Sequence, residues 1–149
     1  MMARSLGLWA ALVLAGCTAG CSGGRVDTVH LSLSADDRLN PDPRGNANPA
    51  QVRIFLLKAP ERLNNADYFQ LAEKEAAVLG DTLDAREQVT MHPGESRIID
   101  LRVPPDARWI GITVGYRDID HATWRTTTPV ARALNVSIGS NRVATSVPK

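Results

Sequence analysis

The side chains best suited to chemistry here are three histidines, two cysteines and a short acidic run. His30, His92 and His121 lie far apart, and none has a second histidine or a cysteine at the spacing of a zinc ligand set. His30 falls on the outward side of an alternating strand pattern and His92 precedes a turn proline, so both read as exposed polar residues. Asp118-Ile119-Asp120-His121 has the composition of a small acid–base or metal cluster. Acidic residues between strands more often form turns by bonding their own backbone, and this run lacks the glycine and distal glutamate of a calcium loop. Neither a Gly-x-Ser-x-Gly nucleophile turn nor a phosphate-cradling glycine loop occurs. The sequence predicts no catalytic residues, no metal site and no cofactor. An enzyme using Asp118, Asp120 and His121 is the weakest of the readings.

Cys17 has more specific surroundings. Arg4 and the amino group give a positive start, and the run from Leu6 to Leu14 is apolar. That run is shorter than the ~20 residues of a membrane span but suits a secretory signal. It ends in Leu14-Ala15-Gly16-Cys17, the pattern of a bacterial lipobox, in which the cysteine sulfur receives a diacylglycerol and becomes the first residue after cleavage. Thr18-Ala19-Gly20-Cys21 is a weaker processing site, because Thr18 stands where an apolar residue is usual. A Cys17–Cys21 disulfide would close a loop too small to brace anything. The expected organisation is a removed signal over residues 1–16, a lipidated Gly- and Ser-rich tether over 17–25, and a domain over 26–149. Thr18, rather than Asp, after the acylated cysteine suits passage to the outer membrane. The domain is then expected on the periplasmic side, held to the inner leaflet by its lipid. Two or three acyl chains are needed for stable anchoring, since one binds only marginally.

Charge and composition narrow the classes further. Seventeen basic side chains face 16 acidic ones, without the basic surplus a nucleic-acid binder carries. The 149 residues suffice for one domain, and at this size roughly two-thirds of the unfolded surface is buried on folding, enough for a core without disulfides.

The elements that must position these residues are mostly strands. Alternating apolar residues predict strands over Thr28–Ser34, Gln51–Lys58, Glu87–Met91, Ser96–Val103, Trp109–Arg117 and Trp124–Thr128, then a last pair built on Leu134, Val136, Ile138 and Val143, Thr145, Val147. Phe55 and Leu57 make the second strand apolar on both faces, so it is expected to be covered on both. One helical insert is predicted at about 64–80, with a stripe of Phe69 and Ala72 flanked by Tyr68 and Leu71, either continuous or broken near Lys74. Asn65 is suited to cap it, Asp67 suits the positive end of its dipole, and Gly80 suits its stop. About eight short strands with frequent turns point to an all-β, two-sheet antiparallel sandwich with a small helical insert.

The connection from Ala35 to Ala50 is the unusual one. It holds Pro41, Pro43 and Pro49 within eleven residues, and it is far longer than the two to five residues a hairpin needs. Either it is a solvated, variable loop, or its prolines stiffen it and reduce the entropy lost on docking.

At this point the order of motifs resembles the outer-membrane lipoprotein of the bacterial type VI secretion system, the TssJ family. Leu39-Asn40-Pro41-Asp42 leads through Gly45 and Pro49 into Val52-Arg53-Ile54-Phe55-Leu56-Leu57, similar to that family's second-strand signature. Asp67-Tyr68-Phe69-Gln70-Leu71 and Leu79-Gly80-Asp81 resemble its helical insert, and Pro93-Gly94-Glu95 its hairpin. Tyr116-Arg117-Asp118 and Trp124-Arg125 resemble the paired residues of its later strands, whereas Ala50 stands where a branched apolar residue is expected. The resemblance implies a transthyretin-like sandwich without enzymatic activity. It also implies binding to the periplasmic C-terminal domain of the inner-membrane protein TssM, through the loop between the first two strands. The partner-binding residues expected here are Leu39, Asn40, Pro41, Asp42, Arg44 and Gly45, with Cys17 as the lipid attachment site. The partners expected are TssM and the outer membrane, with no nucleic acid and no small-molecule substrate; a small ligand-binding envelope lipoprotein of the same fold is the alternative. If successive strands alternate in direction, the lipidated end and the loop over 35–50 lie at opposite ends. Shortening Leu39 to Gly45 is then expected to cost little stability. Trp124 reads as packing, and Arg117 as a partner of Asp118 or Asp120 or of an aromatic ring.

Overall fold

The computed structural model describes residues 24–149; the apolar leader, Cys17 and Cys21 lie outside these. Eight strands form two four-stranded sheets: β1 (Thr28–Ala35), β2 (Ala50–Leu57), β3 (Leu83–Met91), β4 (Ser96–Arg102), β5 (Trp109–Val114), β6 (Arg125–Pro129), β7 (Ala133–Ile138) and β8 (Val143–Ser146). One sheet has the order β4-β1-β7-β8 and the other β3-β2-β5-β6. All neighbours pair antiparallel except β1 with β7. That parallel pair follows from strands alternating in direction along the chain, so that two odd-numbered strands placed side by side run the same way.

Side-chain alternation explains the layers. Val29, Leu31 and Leu33 of β1, Val52 and Ile54 of β2, Ile110 and Ile112 of β5, and Leu134 and Val136 of β7 meet between the sheets, essentially inaccessible to solvent. Ala50 is buried among them, so the unbranched side chain is accommodated. The outer face of β2 is apolar as well, and the helical insert covers it. Phe55, Leu57, Leu63, Leu71 and Leu79 form a second buried cluster beneath α1 (Glu61–Asn64) and α2 (Tyr68–Leu79). Each such side chain contributes roughly 1.5–3 kcal/mol when taken from water. Gly111 lets this layer approach, since a Cβ there would collide with the Leu63 side chain.

The helical insert differs from the sequence expectation in its cap and in its buried face, and Asn65 ends α1 instead of starting the longer helix. Asp67 caps α2 by accepting from the Gln70 amide, Gly80 ends it at φ 54°, and the backbone is non-helical at Lys74. The expected stripe does not form as predicted. Leu71 and Leu79 face inward while Phe69, two residues before Leu71 and so on another side of the helix, is 58% exposed. β3 begins four residues earlier than predicted. Its charged first half is held by Lys58–Asp84 at 3.4 Å and Arg86–Glu75 at 3.2 Å rather than by an alternating apolar pattern. β5 ends at Val114, although Tyr116 beyond it is still buried. β8 ends before Val147, which is exposed.

Candidate functional site

Strand alternation gathers the β1–β2, β3–β4, β5–β6 and β7–β8 connections at one end, and hydrogen bonds tie them together. Gly94 N–H donates to Asp36 C=O at 3.2 Å, Asn40 N–H to Ser140 C=O at 3.0 Å, and Arg117 N–H to Asn40 Oδ1 at 2.8 Å. The other end carries the described amino terminus, with Val103 N–H bonded to Asp27 C=O and His30 N–H to Arg132 C=O, both at 2.9 Å.

Within the long connection, residues 36–49, two expected contact residues turn inward. Leu39 is fully buried in the sandwich core and Asn40 is 5% exposed. The Leu39 side chain therefore anchors the loop from within the core, whereas Asn40 anchors it while lining a groove at the loop's side. Asn40 adopts a left-handed φ of 49°, a conformation its short amide tolerates. Its Nδ2 donates to Pro49 C=O at 2.9 Å, so the side chain links both ends of the loop and, through Arg117, the β5–β6 connection.

The exposed tip is braced by a carboxylate. Asp42 accepts from the Arg44 amide at 2.8 Å, the Asn46 amide at 2.9 Å and Asn46 Nδ2 at 3.1 Å. The Asn46 side-chain bond, followed by the two backbone bonds, holds the Asp42 carboxyl below its ordinary value. Gly45 occupies φ 85° and donates its N–H to Asp42 C=O at 2.9 Å, closing the turn. Asn48 returns the chain by donating Nδ2 to Asn46 C=O at 2.9 Å and its N–H to Leu39 C=O at 2.9 Å. Proline alone is thus not what fixes this loop; an Asp–Asn–Gly hydrogen-bond set does so as well. Pro41, Arg44 and Gly45 are exposed and Asp42 is half-buried.

Between this tip and its neighbours lies an open groove of about 780 Å³, walled by Pro41 and Pro43 on one side and by Arg117, Asp118 and Asn141 on the other. Beneath it the Tyr116 hydroxyl bonds Gly139 C=O at 3.2 Å, and burial raises its pKa. The residues expected from the sequence omit Pro43, within the loop itself, and Arg117 and Asn141, which only the folded loop cluster brings to the same rim from about 75–100 residues along the chain. No ion pair among the described residues includes Arg117, so neither expected partner, Asp118 or Asp120, holds it in one.

The remaining candidates for chemistry separate. His121 Nδ1 lies 2.7 Å from Asp118 Oδ1 on an exposed turn, and that hydrogen bond raises the histidine's pKa. His30 pairs with Asp100 at 2.6 Å on the opposite sheet face. No group of three potential metal ligands occurs among the described residues. Arg53 bonds Glu75 at 3.5 Å, Trp124 packs edge-on to Tyr68 at 5.1 Å, and Arg125 lies 4.6 Å over the Trp124 ring while donating to Leu63 and Ala66 carbonyls. These three side chains hold the helical insert to its sheet, as a packing role requires.

Comparison with known proteins accords with this architecture. The crystal structure of the type VI secretion lipoprotein TssJ1 from Pseudomonas aeruginosa superposes with a TM-score of 0.80 at 29% identity, covering 84% of this chain and 98% of that one. Serratia marcescens Lip, described as a membrane bound component of the type VI secretion system, gives a TM-score of 0.78 at 22% identity over 84% of this chain and 99% of its own. A chain of a type VI membrane complex gives 0.74 at 23% identity over 80% and 98%. No curated protein sequence matches significantly. Residues 27–143 match the model of the type VI secretion lipoproteins that include VasD, EvfM and TssJ, and the chain therefore belongs to the TssJ family of type VI secretion lipoproteins.

Proposed function

We propose that this protein is a lipid-anchored structural component of the type VI secretion membrane complex, fixed to the inner leaflet of the outer membrane through Cys17 and binding the periplasmic C-terminal domain of TssM. The role needs binding and no catalysis. The observation that carries it is the self-braced exposed tip, residues 41–47, at the end of the sandwich opposite the described amino terminus. A loop already held by Asp42, Gly45 and Asn48 loses little conformational freedom on docking. The groove beside it offers Pro41 and Pro43 for apolar contact and Arg117 as a cation. Leu39 and Asn40 then act by holding the tip.

Anchoring and docking are tested separately. In cells, Cys17→Ser is expected to release the protein from the membrane fraction and abolish secretion while the purified domain still captures the partner. A variant that stayed with the outer membrane and supported secretion would exclude anchoring through Cys17.

A further inference from the structure

The amino-terminal end of the sandwich has a charge pattern that the tip lacks. Arg25 pairs with Asp27 at 3.4 Å and Lys58 with Asp84 at 3.4 Å. Arg102, Arg108 and Arg132 belong to no ion pair among the described residues, and the remaining carboxylate on the 24–28, 102–108 and 130–133 segments is Asp106. The three segments are held together. Thr28 registers with Arg102, Val103 N–H bonds Asp27 C=O, Val130 N–H bonds Arg108 C=O, and His30 N–H bonds Arg132 C=O. Arg108 is fixed further, donating to Pro105 C=O at 2.7 Å and Ala107 C=O at 2.9 Å. Beside Arg108 lies an apolar hollow of about 360 Å³, lined by Val26, Val103, Pro104, Pro105 and Val130 and bordered also by Arg25. At the tip, by contrast, Arg38, Arg44, Arg117 and Arg142 stand among Asp36, Asp37, Asp42, Asp118 and Asp120, with Glu95 paired to Arg97.

Reach decides what such a face meets. Six residues lie between Cys17 and Gly24 in the sequence, which is seven steps along the chain, and an extended chain spans at most about 3.5 Å per step, so this end stays within about 25 Å of an acylated Cys17. We propose that Arg102, Arg108 and Arg132 form a cationic footing that seats the base of the sandwich on anionic phospholipid headgroups. The inference rests on Cys17 anchoring for its place in the cell, whereas the surface itself does not depend on the acyl chains. Guanidinium groups bind phosphate oxygens in pairs of hydrogen bonds, and the proline-lined hollow accepts the less polar glycerol level below. Seating the base holds the long axis of the sandwich along the membrane normal, so the tip is kept away from the bilayer instead of sweeping around the tether.

The acyl-free mature chain carrying Cys17→Ser is cosedimented with vesicles of phosphatidylethanolamine and phosphatidylglycerol, and with vesicles of phosphatidylcholine alone. Binding is expected only to the anionic vesicles, and it weakens as salt rises through the physiological range. Each cation near an anionic surface is worth about fivefold in affinity, so Arg102→Gln, Arg108→Gln and Arg132→Gln together reduce it by on the order of 100-fold. Arg102→Gln with Arg132→Gln alone, which spares the carbonyl bonds of Arg108, reduces it by about 25-fold. Absent binding by the parent, equal binding to both vesicle types, or an unchanged triple variant overturns the proposal. So does a triple variant that keeps vesicle binding and loses the secretion partner, which would assign this face to protein. A failed Cys17 acylation, read by labelled palmitate, leaves the vesicle result standing, so the two readings fail separately.

Discussion

Asn40→Ala tests how the tip is held. Its side chain makes two bonds, accepting from Arg117 N–H at 2.8 Å and donating to Pro49 C=O at 2.9 Å, in a position only 5% exposed. Losing both costs about 2 kcal/mol at the ~1 kcal/mol each such bond contributes net. Alanine must also take the left-handed φ of 49°, adding about 1 kcal/mol. The total of about 3 kcal/mol corresponds to a melting temperature lower by roughly 10 °C. Asn40→Gly loses the same bonds without the strain but frees the unfolded chain, so it falls near or slightly above alanine. Urea unfolding gives the energies, and hydrogen exchange at the Arg117 amide reports the bond itself, with protection lost in both variants. Alanine within about 0.5 kcal/mol of the parent, with the Arg117 amide still protected, would refute the hub role.

Two further outcomes follow from packing and charge. Gly111→Ala forces a methyl into Leu63 and is expected to cost about 1–3 kcal/mol, with Leu63→Ala in the same chain recovering part of it; additive losses in urea melts would count against the close approach. Because Asn46 and the backbone amides lower the folded pKa of Asp42, its carboxylate contributes stability above the unfolded value near 3.8 that is lost as pH falls through the folded value. A carboxyl titration followed by NMR should have its midpoint below 3.8 and move upward in Asn46→Ala; a midpoint at or above 3.8 in the parent contradicts the brace.

Local patterning made much of the fold legible. Alternation at Val29, Leu31 and Leu33, and two-sided apolarity at Phe55 and Leu57, identified β1, the doubly covered β2 and the helical cover. Gly80 signalled the stop of α2 and Asp67 its acidic start, whereas the expected cap Asn65 instead ends α1, and no local propensity decided between a continuous helix and the break at Lys74. The start of β3 was hidden because Asp84 and Arg86 are held by partners on other elements, which no local window contains. The same limit applied at the tip. Leu39 reads as one apolar residue in a polar loop, yet it enters the core, and Asn40 depends on an amide 77 residues away. The expectation that the whole of Leu39–Gly45 could be shortened at little cost therefore applies to the exposed part alone, because removing Leu39 opens a cavity worth about 2–5 kcal/mol.

The most direct test of the account is calorimetric titration of the acyl-free protein with the C-terminal domain of TssM. It compares the parent with a variant in which residues 41–46 become a Gly-Ser segment, leaving Leu39, Asn40 and Asn48 in place. The account predicts that binding to the replaced tip is lost or weakened at least tenfold while the sandwich core stays folded; undiminished affinity in a variant whose tip is gone would contradict it.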